Sequence, residues 1–370
     1  MSRKYLLLST ALSILLLHSH AYSQQNKPIE KRDGVNPSSQ NLTKKFATLQ
    51  QMIRNGKVQF IGQKPTFSIK PNPVLAYPIR SVTGDFIPKN IEQIAREQQK
   101  ISTAILSLEQ EYIDAAVSSG SLKRPTMPEC ADRVRFDWRD SGKVTPIKFQ
   151  GFCGSCTTFA TNGAFEGSSA VRNNLMLDSS EQHLLSCSAG VNCTGGNRAV
   201  LAQYMVDTGT STEASYPYSG TNSACNAAIS TPHDAIAWGY VSDATPTVPE
   251  LKNALCRFGP VAIGIWATPT FQAYSSGIYN ETVSTTSSNH AMTLVGWDDR
   301  DGGYWIVKNS WDTTWGENGY GRVAWGSNNV GRWANWIQAP LRALKIRPEK
   351  WRQILRDRKI PLRNKYIARR

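Results

Sequence analysis

Residues 150–157 read Gln-Gly-Phe-Cys-Gly-Ser-Cys-Thr. A cysteine six residues after a glutamine, at the head of a run of small residues, is a candidate nucleophile. A free thiol ionises near pH 8.5, so at neutral pH only about a few per cent of it is the attacking thiolate. Phe159, Ala160, Gly163, Ala164 and Gly167 follow Cys156 at helical spacing, which places the sulfur at a helix N-terminus where backbone N–H dipoles favour an anion. A neighbouring imidazole would supply the second device, taking the thiol proton and later returning it to a leaving amine.

His290, in Asn289-His290-Ala291-Met292, lies 134 residues further on. Of the five histidines, His18 and His20 sit in an apolar leader, His183 inside a helical stretch, and His233 just before a strand-like run. A lone histidine is usually a hydrogen-bonded structural residue; the context of His290 makes it the expected base. Asn309, in Lys308-Asn309-Ser310-Trp311, is expected to accept the second imidazole N–H and orient the ring, the plain alternative being a turn residue after a strand. The Gln150 side-chain amide, with the Cys156 backbone N–H, suits an oxyanion hole; a surface loop glutamine is its alternative.

These motifs resemble the papain-like cysteine protease family (cathepsin/papain type), in which His and Asn follow the Cys at about this distance. The resemblance covers about residues 128–340 and recurs in separate blocks: Asp137-Trp138-Arg139, Ser180-Glu181-Gln182, Cys193-Thr194-Gly195-Gly196, Tyr216-Pro217-Tyr218, and Trp311 through Trp315 to Gly321. It implies an exported cysteine endopeptidase acting on protein or peptide substrates through a thioester, with no cofactor and no metal. Relatives that trim chain ends add a blocking element, one version of which carries paired histidines, and the chain after its leader has no such pair. The resemblance also implies a cleft lined by Gly195, Gly196, Asn197, Arg198, Ala291 and Trp311, with disulfides Cys153–Cys193 and Cys187–Cys225. Cys130 and Cys256 then pair as the remainder.

Some positions depart from the family pattern. Thr157 stands where a tryptophan is usual and Asp312 where a glycine is usual. Asn197 and Arg198 replace an aromatic–proline pair beside the pocket for the second residue before the cut. Arg198 is expected to bias that pocket toward polar or acidic side chains. Two rival classes are a catalytically impaired papain-like peptide-binding protein, for which Thr157 speaks, and a Cys–His amidase or transglutaminase of another fold, against which Gln150 and the Gly195-Gly196 pair speak.

The elements that must hold these residues divide the chain. Residues 1–23, with a basic start, an apolar run from Tyr5 to Leu17 and Ala21-Tyr22-Ser23, read as a secretory signal. That run is too short for a comfortable membrane span, which needs about 20 residues. Residues 24–125 read as a helical propeptide that inhibits the enzyme, or an accessory region, with a helix over 90–118 and Lys123-Arg124 as a processing site. Residues 126–340 form the peptidase domain. Its first half carries helical patterns at Cys156 onward, Ser180–Ser186 with Ser179 and Gln182 as a capping box, and Ala199–Asp207. Its second half carries strand patterns at 236–241, 261–266, 291–297, 304–308 and 321–325. The fold class is therefore α+β, a helical subdomain facing a β-barrel-like one with the active-site cleft between them. Asn41, Asn192 and Asn280 head glycosylation triplets.

Residues 341–370 hold twelve Lys/Arg and two acidic residues, so most of the chain's +14 charge belongs to this tail and says little about substrate. Pro348 opens a candidate helix with Trp351, Ile354 and Leu355 on one face. Such a tail either contacts an anionic surface or packs on its own domain. No specific nucleic acid is implied, and a monomer is expected.

Overall fold

The computed structural model describes residues 39–62, 64–243 and 245–367. The expected signal segment and the last three residues of the tail lie outside them. The helices are α1 (Ser39–Arg54), α2 (Ile91–Ser118), α3 (Cys156–Asn173), α4 (Glu181–Cys187), α5 (Arg198–Asp207), α6 (Val248–Phe258), α7 (Pro269–Gln272) and α8 (Pro348–Asp357). The strands are β1 (Gln59–Phe60), β2 (Phe67–Ile69), β3 (Arg135–Asp137), β4 (Ala237–Tyr240), β5 (Val261–Ile265), β6 (Tyr274–Tyr279), β7 (Glu281–Thr282), β8 (His290–Asp298), β9 (Tyr304–Lys308), β10 (Tyr320–Ala324) and β11 (Arg332–Gln338).

Nine strands form one sheet in the order β2-β6-β10-β9-β8-β5-β11-β4, with β3 added on β8. Its pairings are antiparallel except β6 with β10. Helix α3 lies on β8, β5 and β11 and is buried around its whole circumference from Cys156 to Ala170. Its small residues permit this: a Cβ on Gly163 would fall 2.4 Å from Thr293 Oγ1, so the glycine sets how closely helix and sheet approach. The expected helix-plus-sheet division is the observed α+β architecture, and all three disulfides form as expected, Cys153–Cys193, Cys187–Cys225 and Cys130–Cys256. Cys156 is the free cysteine.

Differences from the sequence reading are local. The cap of α4 is Ser180, whose side chain accepts from His183 N–H, because Ser179 N–H is already taken by Glu166. Helix α1 was not expected, although Leu42, Phe46 and Leu49 are spaced on one face; they pack with Leu75 and Ala273. Asn280, head of one glycosylation triplet, is buried and donates to the carbonyls of Ile61 and Lys64, so no glycan fits there in this form.

The basic tail packs on the domain. Trp351, Ile354 and Leu355 are buried in the main core, Trp351 lies edge-on to Tyr112 of α2, and Arg352 pairs with Asp234 at 2.8 Å. Asn364 donates to Ile94 O of α2. The apolar face of α8 is therefore unavailable to a membrane. Each buried apolar side chain contributes roughly 1.5–3 kcal/mol. Deleting residues 341–370 is thus expected to lower the melting temperature by roughly 10 °C or more, measured by differential scanning calorimetry. An unchanged melting temperature with lost binding to anionic vesicles would restore the free-tail reading.

Candidate active site

Four elements converge on Cys156. Helix α3 begins at this residue, preceded by the N-cap Ser155. The loop before it is tied to the Cys193–Gly196 stretch of the same helical half by Cys153–Cys193 and by the bond from Gly154 N–H to Cys193 O. Strand β8 starts at His290 and brings the backbone N–H of Ala291 to the Cys156 sulfur. Just past β9, Asn309 Oδ1 lies 2.8 Å from His290 Nε2. The Ser310 N–H donates to the same Oδ1 at 2.9 Å, which fixes the amide so that its oxygen faces the ring. Nε2 is then the protonated nitrogen, and Nδ1, buried without a hydrogen-bond partner, is the one free to accept a proton.

Trp311 stacks on His290, ring centroids 4.4 Å apart and planes 24° apart, shielding the His–Asn bond from water. Gln150 is fully buried. Its Oε1 accepts from Ser310 Oγ at 2.7 Å, and its Nε2 donates to Cys153 O at 2.8 Å and to Val82 O at 3.2 Å. The amide N–H is thereby aimed at the cleft. Thr157 is buried with its hydroxyl unpartnered. Asp312, where glycine is usual, has φ of 67°, a left-handed backbone that Asp and Asn tolerate better than most residues.

The cleft is covered by residues of this same chain. Trp311 Nε1 donates to Val82 O at 3.0 Å. Gly196 N–H donates to Gly84 O at 2.8 Å, and Phe86 N–H donates to Gly196 O at 2.9 Å, so that Asp85 pairs with Gly196 in parallel. Asn197 Nδ2 reaches Phe86 O, and Arg198 pairs with Asp85. A Cβ on Gly195 would collide with the Phe86 ring and with Gly84 O. Every residue expected to line the cleft thus touches the covering segment or the sulfur. The segment itself was not legible in the sequence: Val82-Thr83-Gly84-Asp85-Phe86 carries no motif, and its side-chain partners in the cleft lie from 68 to 229 residues away.

Covering the cleft reverses the expected electrostatics. Burial, and next the negative charge of Asp85, push the Cys156 thiol up to about 12, against the N–H groups of Ala291 and Gly84 and the Arg198 cation. Burial pushes His290 down to about 4, against the bond to Asn309 and the charge of Asp85. The lowered thiol pKa expected from the helix N-terminus is therefore absent here, because desolvation disfavours both charged partners. In the covered form burial thus favours the neutral thiol and the neutral imidazole.

Residues 133–340 match the family described as papain family cysteine protease. The chain belongs to that family. Among its relatives is digestive cysteine proteinase 1 of Homarus americanus, 39% identical over 208 residues, 54% of this chain and 64% of the relative. The chain thus spans somewhat under two thirds of that relative's length. The Carica candamarcensis cysteine protease, solved in complex with E-64, is 32% identical over 56% of this chain and 98% of its own, with a TM-score of 0.51. Procathepsin L 3 of Tenebrio molitor larval midgut shares the fold over 86% of this chain and 98% of its own, with a TM-score of 0.61 at 24% identity.

Proposed function

We propose that the chain is an exported cysteine endopeptidase made as a zymogen, with Cys156, His290, Asn309 and Gln150 as its catalytic groups. The observation that carries this reading is the His290–Asn309 hydrogen bond at the start of β8, the strand whose Ala291 N–H faces the Cys156 sulfur, with Gln150 aimed into the same cleft. His290 Nδ1 takes the Cys156 proton and the thiolate attacks the peptide carbonyl carbon. The Gln150 amide and the Cys156 N–H hold the developing oxyanion. The C–N bond then breaks, the amine leaves with the proton from His290, and a thioester remains. Water, deprotonated by His290, attacks that thioester to release the acid and restore the thiol.

The zymogen reading rests on the direction of the covering segment. A substrate runs from its acyl part to its amine part, and the amine must depart beside the proton donor His290. Val82 lies on that side, hydrogen-bonded to Trp311, while Gly84 and Asp85 follow toward Gly195 and Gly196. The segment therefore runs backwards relative to a substrate. Removing residues before the catalytic region, about 24–125, would open the cleft. Three disulfides suit an oxidising, exported setting.

The test uses processed protein treated with iodoacetamide and, separately, incubated with an unfolded protein substrate. Labelling is expected at Cys156 alone, with cuts inside the substrate. Release of only single residues or dipeptides would refute the endopeptidase assignment.

A further inference from the structure

The cleft wall holds a cation that the expected catalytic groups do not use. Arg198 opens α5, yet its side chain turns inward and is only 3% exposed. Its Nη1 donates to Ala262 O at 3.1 Å, Trp333 O at 2.9 Å and Asn335 Oδ1 at 3.1 Å, and its Nη2 to Arg332 O at 3.2 Å. These four acceptors are neutral; they fix the plane of the guanidinium without balancing its charge.

The remaining edge of the fork faces the cleft. Nε donates to Asp85 Oδ1 at 3.1 Å and Nη2 to Asp85 Oδ2 at 3.2 Å, while Ser288 Oγ donates to Oδ2 at 2.6 Å. Asp85 is the only carboxylate ion-paired with Arg198 among the described residues, and it belongs to the covering segment. A planar fork matched to both carboxylate oxygens is specific for that group. A buried charge stripped of its partner is costly, so once the segment leaves, an incoming carboxylate regains what an apolar side chain cannot.

Position follows from the same contacts. The Gly84 N–H donates to Asn289 O, next to His290, at 2.8 Å, and Asp85 is the next residue, bracketed by the bonds of Gly84 O and Phe86 N–H to Gly196 and lying on the side away from Val82 and Trp311. A side chain seated at Arg198 is therefore one residue removed from the one whose carbonyl is attacked, on its acyl side.

We propose that Arg198 and Ser288 form a carboxylate receptor that selects substrates with aspartate or glutamate as the second residue before the cut, and that Asp85 fills this receptor in the covered form. The receptor rests on the peptidase reading for its role in cleavage, but its binding chemistry stands apart from turnover. The experiment therefore reads it twice with peptides differing only at that residue: as kcat/KM on processed wild type, and as Kd on processed Cys156→Ala. Glutamate or aspartate is expected to exceed leucine by at least about 10²-fold in kcat/KM, the scale on which a site built for a polar group rejects an analogue lacking it. The Kd should show the same order of preference. Ser288→Ala should narrow the ratio and Arg198→Met should erase it. Equal Kd for glutamate and leucine peptides, or a leucine preference in wild-type kcat/KM, overturns the receptor and leaves the protease assignment standing. Acid-selective binding without any hydrolysis supports the receptor and counts against the peptidase reading instead. Because Arg198→Met removes a buried group and can fail to fold, the wild-type profile and Ser288→Ala decide the matter without it.

Discussion

Replacing Cys156 with alanine in the processed protein is expected to cut turnover by on the order of 10⁶-fold and leave the circular dichroism spectrum unchanged. The sulfur is buried at the head of α3, and alanine fits the same volume without a new polar group. His290→Ala should cost nearly as much, and the double variant no more than either alone, because nucleophile and base act as one unit. Asn309→Ala should be milder, since Trp311 still stacks on the ring. Gln150→Ala should lose on the order of 10²–10³ in kcat if its amide holds the oxyanion. Near-normal peptide hydrolysis by the Cys156 variant would sink the catalytic assignment as a whole.

The second large effect concerns the cover. A Cβ on Gly84 would lie 2.0 Å from Gly154 O and 2.8 Å from the Gly195 Cα. Both obstacles are backbone, so neither can rotate aside. Gly84→Ala in the full chain should therefore lift the segment out of the cleft. With the thiol at about 12, only roughly one part in 10⁵ is thiolate at pH 7. Even an ordinary exposed thiol would have about 10³ times more, so iodoacetamide labelling of Gly84→Ala should outpace wild type by at least that factor. Equal labelling rates would show that the segment does not control access.

The same burial fixes a pH dependence. His290 in the covered form stays neutral down to about 4, whereas an uncovered imidazole takes a proton near 6.5. Between these values the uncovered state binds the extra proton. The cover is accordingly firm above about 6.5 and loosens as pH falls toward 4. The raised thiol acts in the opposite sense, weakening the cover once pH climbs past the ionisation of the uncovered thiol, at or below about 8.5. Limited proteolysis of residues 82–87 should therefore be slowest between these limits.

Residue types and their spacing were enough to recognise the family and the helix over Ile91–Ser118 and to nominate Cys156, His290, Asn309 and Gln150, while the resemblance implied Cys153–Cys193 and Cys187–Cys225 and left Cys130 and Cys256 as the remaining pair. The legible parts are residue types at fixed spacing: Gln150 to Cys156, and the Ile91, Ile94, Ile101, Ile105 stripe. The sequence also pointed to Arg198 as an unusual cleft residue. Strand β11 escaped because almost every residue of Arg332–Gln338 is buried, so no alternation of apolar and polar residues marks it. The apolar face of α8 was visible, but not what would cover it; only packing against α2 and the domain core resolved that. The counter-charge of Arg198, the cover over Cys156 and the direction of both pKa shifts were decided by tertiary structure alone. Asp85 stands 113 residues from its partner, and desolvation depends on which segments of chain meet, a quantity no local pattern encodes.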